Sequence, residues 1–262
     1  MARVKTAILA TALLAGAFAA TTAVAGQTTF TDTTFNTANY TLGSFSDPSV
    51  TINSYGQTLT GGDPGAALQG TVSSVGANAQ GVLLTALNNT FVYNPSTSGA
   101  ITSLNASLDR FTTPTNGGDA SLVGSYSLRV LAEQDGQLYQ ATFVFGPINQ
   151  PGGIWNDLVE NGITASDFST LDASNFTGAG VTGGLNFAGD AITFGFAMRG
   201  SGAVEPDGSL STFDQTNDLR ADNFDLTINS GTVPEPASWA LMLVGFGAAG
   251  ALLRSRRRPA FG

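Results

Sequence analysis

Apolar and polar residues alternate through the middle of this chain, and the alternation predicts strands. In SYSLRVLA, from Ser125, and in YQATFVF, from Tyr139, every second residue is apolar. The dipeptide Asp135-Gly136 between these windows is typical of a hairpin turn. The windows AITFGFAM and ADNFDLTI repeat the alternation, and shorter candidate strands lie at residues 49–52, 81–87, 90–93 and 104–111. The pattern therefore predicts an all-β domain.

One window, GIWNDLVENG at residues 153–162, has helical spacing instead. Trp155, Leu158 and Val159 would share one helix face, and Gly162 would end the helix. A second short turn is predicted at Thr164, because Asp167 follows it at the spacing of a capping box. Many strands, one or two short helices and regular turns predict an antiparallel β-sandwich over residues 26–232. We expect one domain, because no stretch of linker composition divides this region.

Composition and charge narrow the chemistry. The 262 residues include no cysteine and no histidine, which excludes disulfides, Cys/His zinc sites and nucleophilic sites that use histidine. Between residues 26 and 233 four arginines stand against 18 acidic residues, a net charge of −14. This charge predicts no nucleic-acid partner. Two interpretations of the acidity remain open, solubility outside the cell and the binding of divalent cations.

The N-terminal stretch MARVKTAILATALLAGAFAATTAVAG has the composition of a secretory signal. Arg3 and Lys5 precede an apolar run at residues 7–20, which is short for a membrane span. The small residues Ala23 and Ala25 are acceptable to signal peptidase. We predict a signal peptide over residues 1–25, cleaved after Ala25, with an uncleaved N-terminal anchor as the alternative.

The other end of the chain predicts a membrane segment. Residues 237–253 carry no charge, and as a helix these 17 residues would cover about 26 Å, close to the ~30 Å hydrocarbon core. Trp239 stands at the outer edge of this span, where an indole favours the interface. The terminal arginines should remain in the cytoplasm; they are Arg254, Arg256, Arg257 and Arg258.

A proline pair precedes this predicted transmembrane helix. Pro234-Glu235-Pro236 forbids a helix and favours an extended, accessible segment. Together with Trp239-Ala240, the apolar span and the arginines, this triplet resembles a PEP-CTERM sorting signal in its Trp-Ala variant, over residues 233–262. The resemblance implies export by a Gram-negative bacterium, processing by exosortase, and a membrane-anchored intermediate that ends at the cell surface or outside the cell. An ordinary single-span anchor is the alternative.

The body shows weaker resemblances. The closing window ADNFDLTI resembles the last strand of jelly-roll carbohydrate-binding modules. GGDPGAAL, from Gly61, resembles a segment of laminin-B-like sandwiches but departs from it at Asp63. The first resemblance implies a jelly-roll-like sandwich, an exopolysaccharide partner, and a structural calcium ion between the first and last strands.

Alternation places Asp222 on the same face as Phe224, where an unpartnered carboxylate is costly. One solution is the calcium ion, with Asp32 as second ligand. The other is a position at the rim of the sandwich, where Asp222 accepts backbone N–H bonds. The sequence leaves both open.

No catalytic pair is visible, so we expect a protein that is not an enzyme. Asp222 and Asp225 would point to opposite strand faces, and Glu205 and Asp207 lie in a Gly/Pro-rich stretch. The aromatic side chains available to stack on a sugar are Tyr93, Tyr126, Tyr139 and Trp155, each expected to pack in the core instead. Two functions follow: a structural or interaction protein of the cell surface or extracellular matrix, or alternatively a carbohydrate-binding module.

Overall fold

The computed structural model describes residues 26–74, 81–116, 124–141, 153–203, 215–231 and 242–248. The predicted signal peptide, and most of the predicted sorting signal, lie outside these ranges. Within them the chain forms twelve strands: β1 Gly26–Asp32, β2 Tyr40–Ser46, β3 Val50–Gly62, β4 Gly65–Ser74, β5 Gly81–Tyr93, β6 Ile101–Asn116, β7 Gly124–Gln134, β8 Gln137–Ala141, β9 Asn156–Ile163, β10 Phe168–Thr170, β11 Ile192–Ala203 and β12 Gln215–Ser230. A single-turn helix, α1 Pro95–Ser98, follows β5.

The strands form two sheets. Sheet A has the order β3-β4-β12-β6-β9, and sheet B has the order β10-β8-β7-β11-β5-β2. The long strand β12 pairs with β6 along one side, while its other side pairs first with β4 and then with β1. Every pairing within both sheets is antiparallel. The predicted antiparallel β-sandwich is therefore confirmed.

Alternate residues of both sheets meet in one core. On β12 these include Phe224, Leu226 and Ile228, and on β11 they include Phe194 and Phe196, all fully buried. Their aromatic rings form a connected row: Phe30 stacks on Phe91 at 5.0 Å, Phe91 on Phe224 at 5.8 Å, and Phe224 lies 5.0 Å from Phe196. Removal of this apolar surface from water is the main stabilisation of the sandwich.

The helix predicted at residues 153–162 is wrong, because Asn156–Ile163 is β9, the edge strand of sheet A. The side-chain period is two: Leu158 is buried in the core, whereas Val159 is 56% exposed on the opposite face. The segment is a strand because it pairs with β6, and this tertiary pairing outweighs the local preference for a helix that the residue spacing indicated. Gly162 has φ +75° and donates its N–H to Asn105 Oδ1, in a strand.

Two predicted turns are confirmed. Asp135 and Gly136 join β7 to β8 with positive φ angles of 55° and 77°, as the tight hairpin turn requires. Thr164 precedes a 3₁₀ turn, Ala165–Asp167, and both its backbone N–H and its hydroxyl donate to Asp167 Oδ2. This is the predicted capping box.

The C-terminal tail is described only in part. Residues 242–248 are helical and lie within the predicted transmembrane span 237–253. Among the residues that the structure describes, no helix has both the length and the apolar character needed to cross a membrane. The transmembrane helix stays a prediction.

Candidate functional site

The outer face of sheet A carries a pair of aromatic rings near solvent. Trp155, just before β9, packs on Phe111 of β6 with ring centroids 5.3 Å apart, and both side chains are half-buried. The guanidinium group of Arg220, on β12, lies over the Phe111 ring, 5.0 Å from the ring centroid. Arg220 is held by a 2.6 Å ion pair with Asp218 and by a 3.0 Å bond to the Gly61 carbonyl. The Phe111 ring is thereby fixed between Trp155 and a cation.

Two carboxylates, Asp109 and Asp157, lie on the same outer face, on β6 and β9 beside the aromatic pair. Asp109 of β6 is the register partner of Asp157 on β9, which is exposed. Asn223 of β12 donates through its side chain to Asp109 Oδ2 at 2.6 Å and to the Asp63 carbonyl at 2.7 Å. Burial raises the pKa of Asp109, and the nearby Asp157, Asp63 and Asp225 carboxylates raise it further. We call Trp155, Phe111, Arg220, Asp109 and Asp157 the aromatic–acidic face.

This combination of groups suits a sugar. An aromatic ring offers a flat apolar surface to the C–H side of a pyranose, and flanking carboxylates accept hydrogen bonds from its hydroxyls. Phe111, Arg220, Asp109 and Asp157 lie on strands of the packed sheet and Trp155 directly precedes one, so the fold positions these side chains.

Trp155 is the predicted aromatic that the structure brings to the surface. Tyr93 is buried and donates its hydroxyl to the Ser98 and Gly99 carbonyls at 2.8 and 2.9 Å. Tyr139 is buried in the core. The side chain of Tyr126 lies outside the described part of the chain.

Asp222, a predicted calcium ligand, is fully buried where β12 bulges. The register with β6 shifts between Asp222 and Asp225, and Asn223 has φ 51°. Asp222 Oδ2 accepts the Asp63 N–H at 2.5 Å, and its Oδ1 accepts the Asn223 N–H at 2.7 Å. Burial raises its pKa, which these two bonds oppose. Asp222 thus accepts the backbone N–H bonds that were predicted for it as the alternative to calcium binding.

Asp32, the other predicted calcium ligand, organises the turn after β1. Its Oδ1 accepts the Thr34 and Phe35 N–H groups at 2.7 and 2.9 Å, and its Oδ2 accepts the Tyr40 hydroxyl at 2.8 Å. Among the described residues, Asp32 and Asp222 have no hydrogen-bond partner in common. In the described ranges no three acidic side chains are grouped to hold a metal. Structural calcium stays a prediction.

Sequence reasoning missed Phe111, Arg220 and Asp109 as site residues. Phe111 and Arg220 face each other across β6 and β12 as register partners, although 109 positions separate them in the chain. The available signal was outward alternation: Phe111 follows the buried Arg110, and Arg220 lies between buried Leu219 and Ala221. The alternation of apolar and polar residues indicates which face of the sheet a side chain occupies, but it does not indicate which residue of the neighbouring strand lies beside it.

Comparison with known proteins identifies the tail. Residues 232–258 match the PEP-CTERM protein-sorting motif. The match contains every residue of the predicted signal from Pro234 to Arg258, so the prediction of this signal is confirmed. The chain is an exported protein that carries a PEP-CTERM signal. No curated protein matches the chain.

Similar solved structures include two carbohydrate-binding modules. The family 11 module from Clostridium thermocellum, in complex with a β-1,3-1,4-mixed-linked tetrasaccharide, has 14% identity and a TM-score of 0.40, over 80% of this chain and 98% of that one. The same family's module of cellulase Lic26A-Cel5E from that organism has 14% identity and a TM-score of 0.36, over 74% and 90%. A β-1,2-glucanase from Parabacteroides distasonis has 13% identity and a TM-score of 0.31, over 71% and 23%.

Proposed function

We propose that the sandwich is released from both targeting segments and acts as a structural or interaction protein at the cell surface or in the extracellular matrix. The observation that carries this proposal is the pairing of the two ends of the domain. Gly26, the first residue of β1, is the register partner of Ser230, the last residue of β12. Gly26 directly follows the predicted signal-peptidase site, and the sorting motif begins at residue 232.

Both cuts would therefore fall beside the same corner of sheet A. Cleavage after Ala25 and cleavage near Pro234 would each leave β1 and β12 complete. The ends are tied there by backbone pairing and by the Ser230 hydroxyl, which donates to the Gly26 carbonyl at 3.2 Å. The mature domain would keep its ends ordered after signal peptidase and exosortase have acted.

Mass spectrometry of the terminal peptides from cell-surface and medium fractions tests this proposal. We expect an N-terminus at Gly26 and a C-terminus close to Pro234. Glu235→Ala should block C-terminal processing, whereas Asp190→Ala, at an exposed acid of the sandwich, should leave processing unchanged. Recovery of the wild type only as intact chain through Arg258, confined to the membrane, would refute the proposal.

We propose glycan binding as a second function, favoured by the half-exposed Trp155 among the carboxylates of the aromatic–acidic face. A neutral polysaccharide suits this face, because the exposed Asp157 and nearby Asp109 would repel an anionic one. We expect binding without hydrolysis, and so no release of reducing sugar.

Affinity electrophoresis in gels that contain a mixed-linked β-glucan or a neutral bacterial exopolysaccharide tests this function. Trp155→Ala should weaken retention by about tenfold, since stacking on an aromatic ring contributes about 0.5–1.5 kcal/mol beyond its buried area. Val181→Ala removes an apolar side chain that is 76% exposed outside sheet A, and should leave retention unchanged. Equal retention of both variants would remove the aromatic–acidic face as the binding site.

A further inference from the structure

Two arginines lie close together on the outer face of sheet B, opposite in the molecule to the aromatic–acidic face. Arg129 is on β7 and Arg199 is on β11. Arg129 is the register partner of Ala197, so Arg199 lies two residues along the neighbouring strand on the same face. Their chain neighbours Leu128, Val130 and Met198 fill the core on the inner face. Two of the four arginines between residues 26 and 233 are thus placed side by side.

Arg129 is buried beneath residues 171–184, which cross this face and which we call the covering segment. Phe176 of the segment stacks on Phe45 of β2 at 6.1 Å. Arg129 Nη1 donates to Gln140 Oε1 and, at 3.4 Å each, to the Phe176 and Gly178 carbonyls. All of these acceptors are neutral, so the hydrogen bonds that hold the covering segment do not compensate the positive charge of Arg129.

Arg199, unlike Arg129, is only half-buried. Its Nε atom is buried and has no hydrogen-bond partner among the described residues. Burial lowers the pKa of Arg199. Burial and the charge of Arg199 together lower the pKa of Arg129 to about 10. The pKa of Arg129 therefore reflects burial first and the neighbouring Arg199 cation second, whereas that of Arg199 reflects burial.

Three described acids near the strands of sheet B accept backbone N–H groups. Asp47 accepts the Gly81 N–H at 2.5 Å, Glu133 accepts the Gly136 N–H at 2.9 Å, and Asp172 accepts the Ser174 N–H at 2.7 Å. The ion pair found within the described ranges, Arg220 with Asp218, belongs to sheet A. Among the described residues neither Arg129 nor Arg199 forms an ion pair, which is unexpected in a domain whose net charge is −14.

We propose that Arg199, supported by Arg129, binds the carboxylate of an acidic saccharide. A guanidinium presents parallel N–H donors that match the oxygens of such a group, and the bonds are strengthened by charge and by partial burial. The saccharide part of this inference rests on the proposed location at the surface or in the matrix; the anion site rests on the arginine pair alone. It is independent of the aromatic–acidic face.

Calorimetry on the purified full chain tests the site, with sodium glucuronate as probe, glucose as the neutral control and sodium sulfate as the inorganic arm, all at matched ionic strength. We expect saturable binding of glucuronate that weakens with added salt, and none of glucose. Arg199→Gln should reduce the affinity at least about tenfold, and Arg199→Lys should keep part of it, because the charge remains without the fork. Gln27→Glu, at an exposed position of β1, changes the net charge by the same amount as Arg199→Gln and should bind like the wild type.

Thermal unfolding without ligand separates a binding role from a structural one. If Arg199 is an uncompensated cation, Arg199→Gln should unfold at the same or a higher temperature than the wild type. A lower unfolding temperature would mean that Arg199 supports the fold, and would overturn the inference. Absence of glucuronate and sulfate binding at about 50 mM would also overturn it, as would wild-type affinity in Arg199→Gln. Sulfate binding alone would overturn the saccharide assignment. Glucuronate binding by the full chain would support the site whether or not the proposed processing occurs, so the two proposals can fail separately.

Discussion

Replacement of Asp32 by alanine should strongly destabilise the sandwich. The carboxylate is 8% exposed and accepts the Thr34 and Phe35 N–H groups and the Tyr40 hydroxyl. Phe35 and Tyr40 are themselves buried, so Asp32→Ala leaves two buried donors without an acceptor. Each costs about 1–3 kcal/mol, which gives a loss of about 4 kcal/mol in the free energy of unfolding. For a domain of roughly 200 residues this corresponds to a fall of about 8–16 °C in Tm.

The assay is thermal unfolding, followed by circular dichroism with and without a calcium chelator. Asp32→Asn serves as the matched variant, because its amide keeps one acceptor for the Phe35 N–H and the Tyr40 hydroxyl can turn to accept from the other end. We expect Asp32→Ala to lose much more stability than Asp32→Asn, and chelator to change neither value. A structural calcium ion predicts similar losses in both variants and a lower wild-type Tm in chelator. A Tm for Asp32→Ala within about 3 °C of the wild type would refute the hydrogen-bond argument.

Three further predictions follow from the same structure. Gly62→Ala should lower the urea midpoint of unfolding, because a Cβ there would lie 2.5 Å from Asp222 Oδ2 and against the Ala66 carbonyl. Gly65→Ala is the control: a Cβ at this position meets open space, so at φ +100° the substitution should cost only backbone strain. Equal midpoints for the two variants would contradict the argument from close approach at Gly62. Because burial raises the pKa of Asp109 in the folded state, the folded protein binds the carboxyl proton of Asp109 more tightly than the unfolded chain does. The urea midpoint of unfolding should therefore rise as pH falls from 7 towards 4. The rise should be smaller in Asp109→Asn, and identical pH profiles of the variant and the wild type would count against this prediction. Phe224→Ala should lose about 3–5 kcal/mol in urea unfolding, because the ring is fully buried between Phe91 and Phe196, and a loss below about 1 kcal/mol would mean that the row of rings is not continuous.

The sequence predicts the strands where one face is buried and the other is not. Strand β11 was visible because Phe194 and Phe196 alternate with smaller residues, and the β7–β8 hairpin because Asp135-Gly136 allows two positive φ angles. The window that became β9 contains too few apolar residues to separate period two from period 3.6. Its strand conformation depends on β6, about 50 residues earlier, and no local signal carries that pairing.

The candidate site was less accessible to prediction because its contacts are long-range. Alternation correctly marked Asp222 as a carboxylate on the buried side, but its main partner, the Asp63 N–H, lies 159 residues away in the β3–β4 turn. Arg129 and Arg199 are both recognisable as outward positions beside core residues. Their proximity requires the β7–β11 pairing, which the sequence does not specify.

The two outer faces differ in charge, and this difference separates the two binding proposals. Asp109 and Asp157 would repel a uronate-containing polymer from the aromatic–acidic face, whereas Arg199 would attract it to sheet B. Stacking on Trp155 depends little on ionic strength, but a guanidinium–carboxylate contact weakens as the Debye length shortens from about 10 Å at 0.1 M to about 3 Å at 1 M salt. Retention of a neutral glucan should therefore persist in 1 M salt and depend on Trp155, while retention of a polyuronate should be lost in 1 M salt and depend on Arg199. If Trp155→Ala and Arg199→Gln weaken retention of the same polymer to the same extent at both salt concentrations, the two faces do not bind independently, and the separation of sites argued from their charges is wrong.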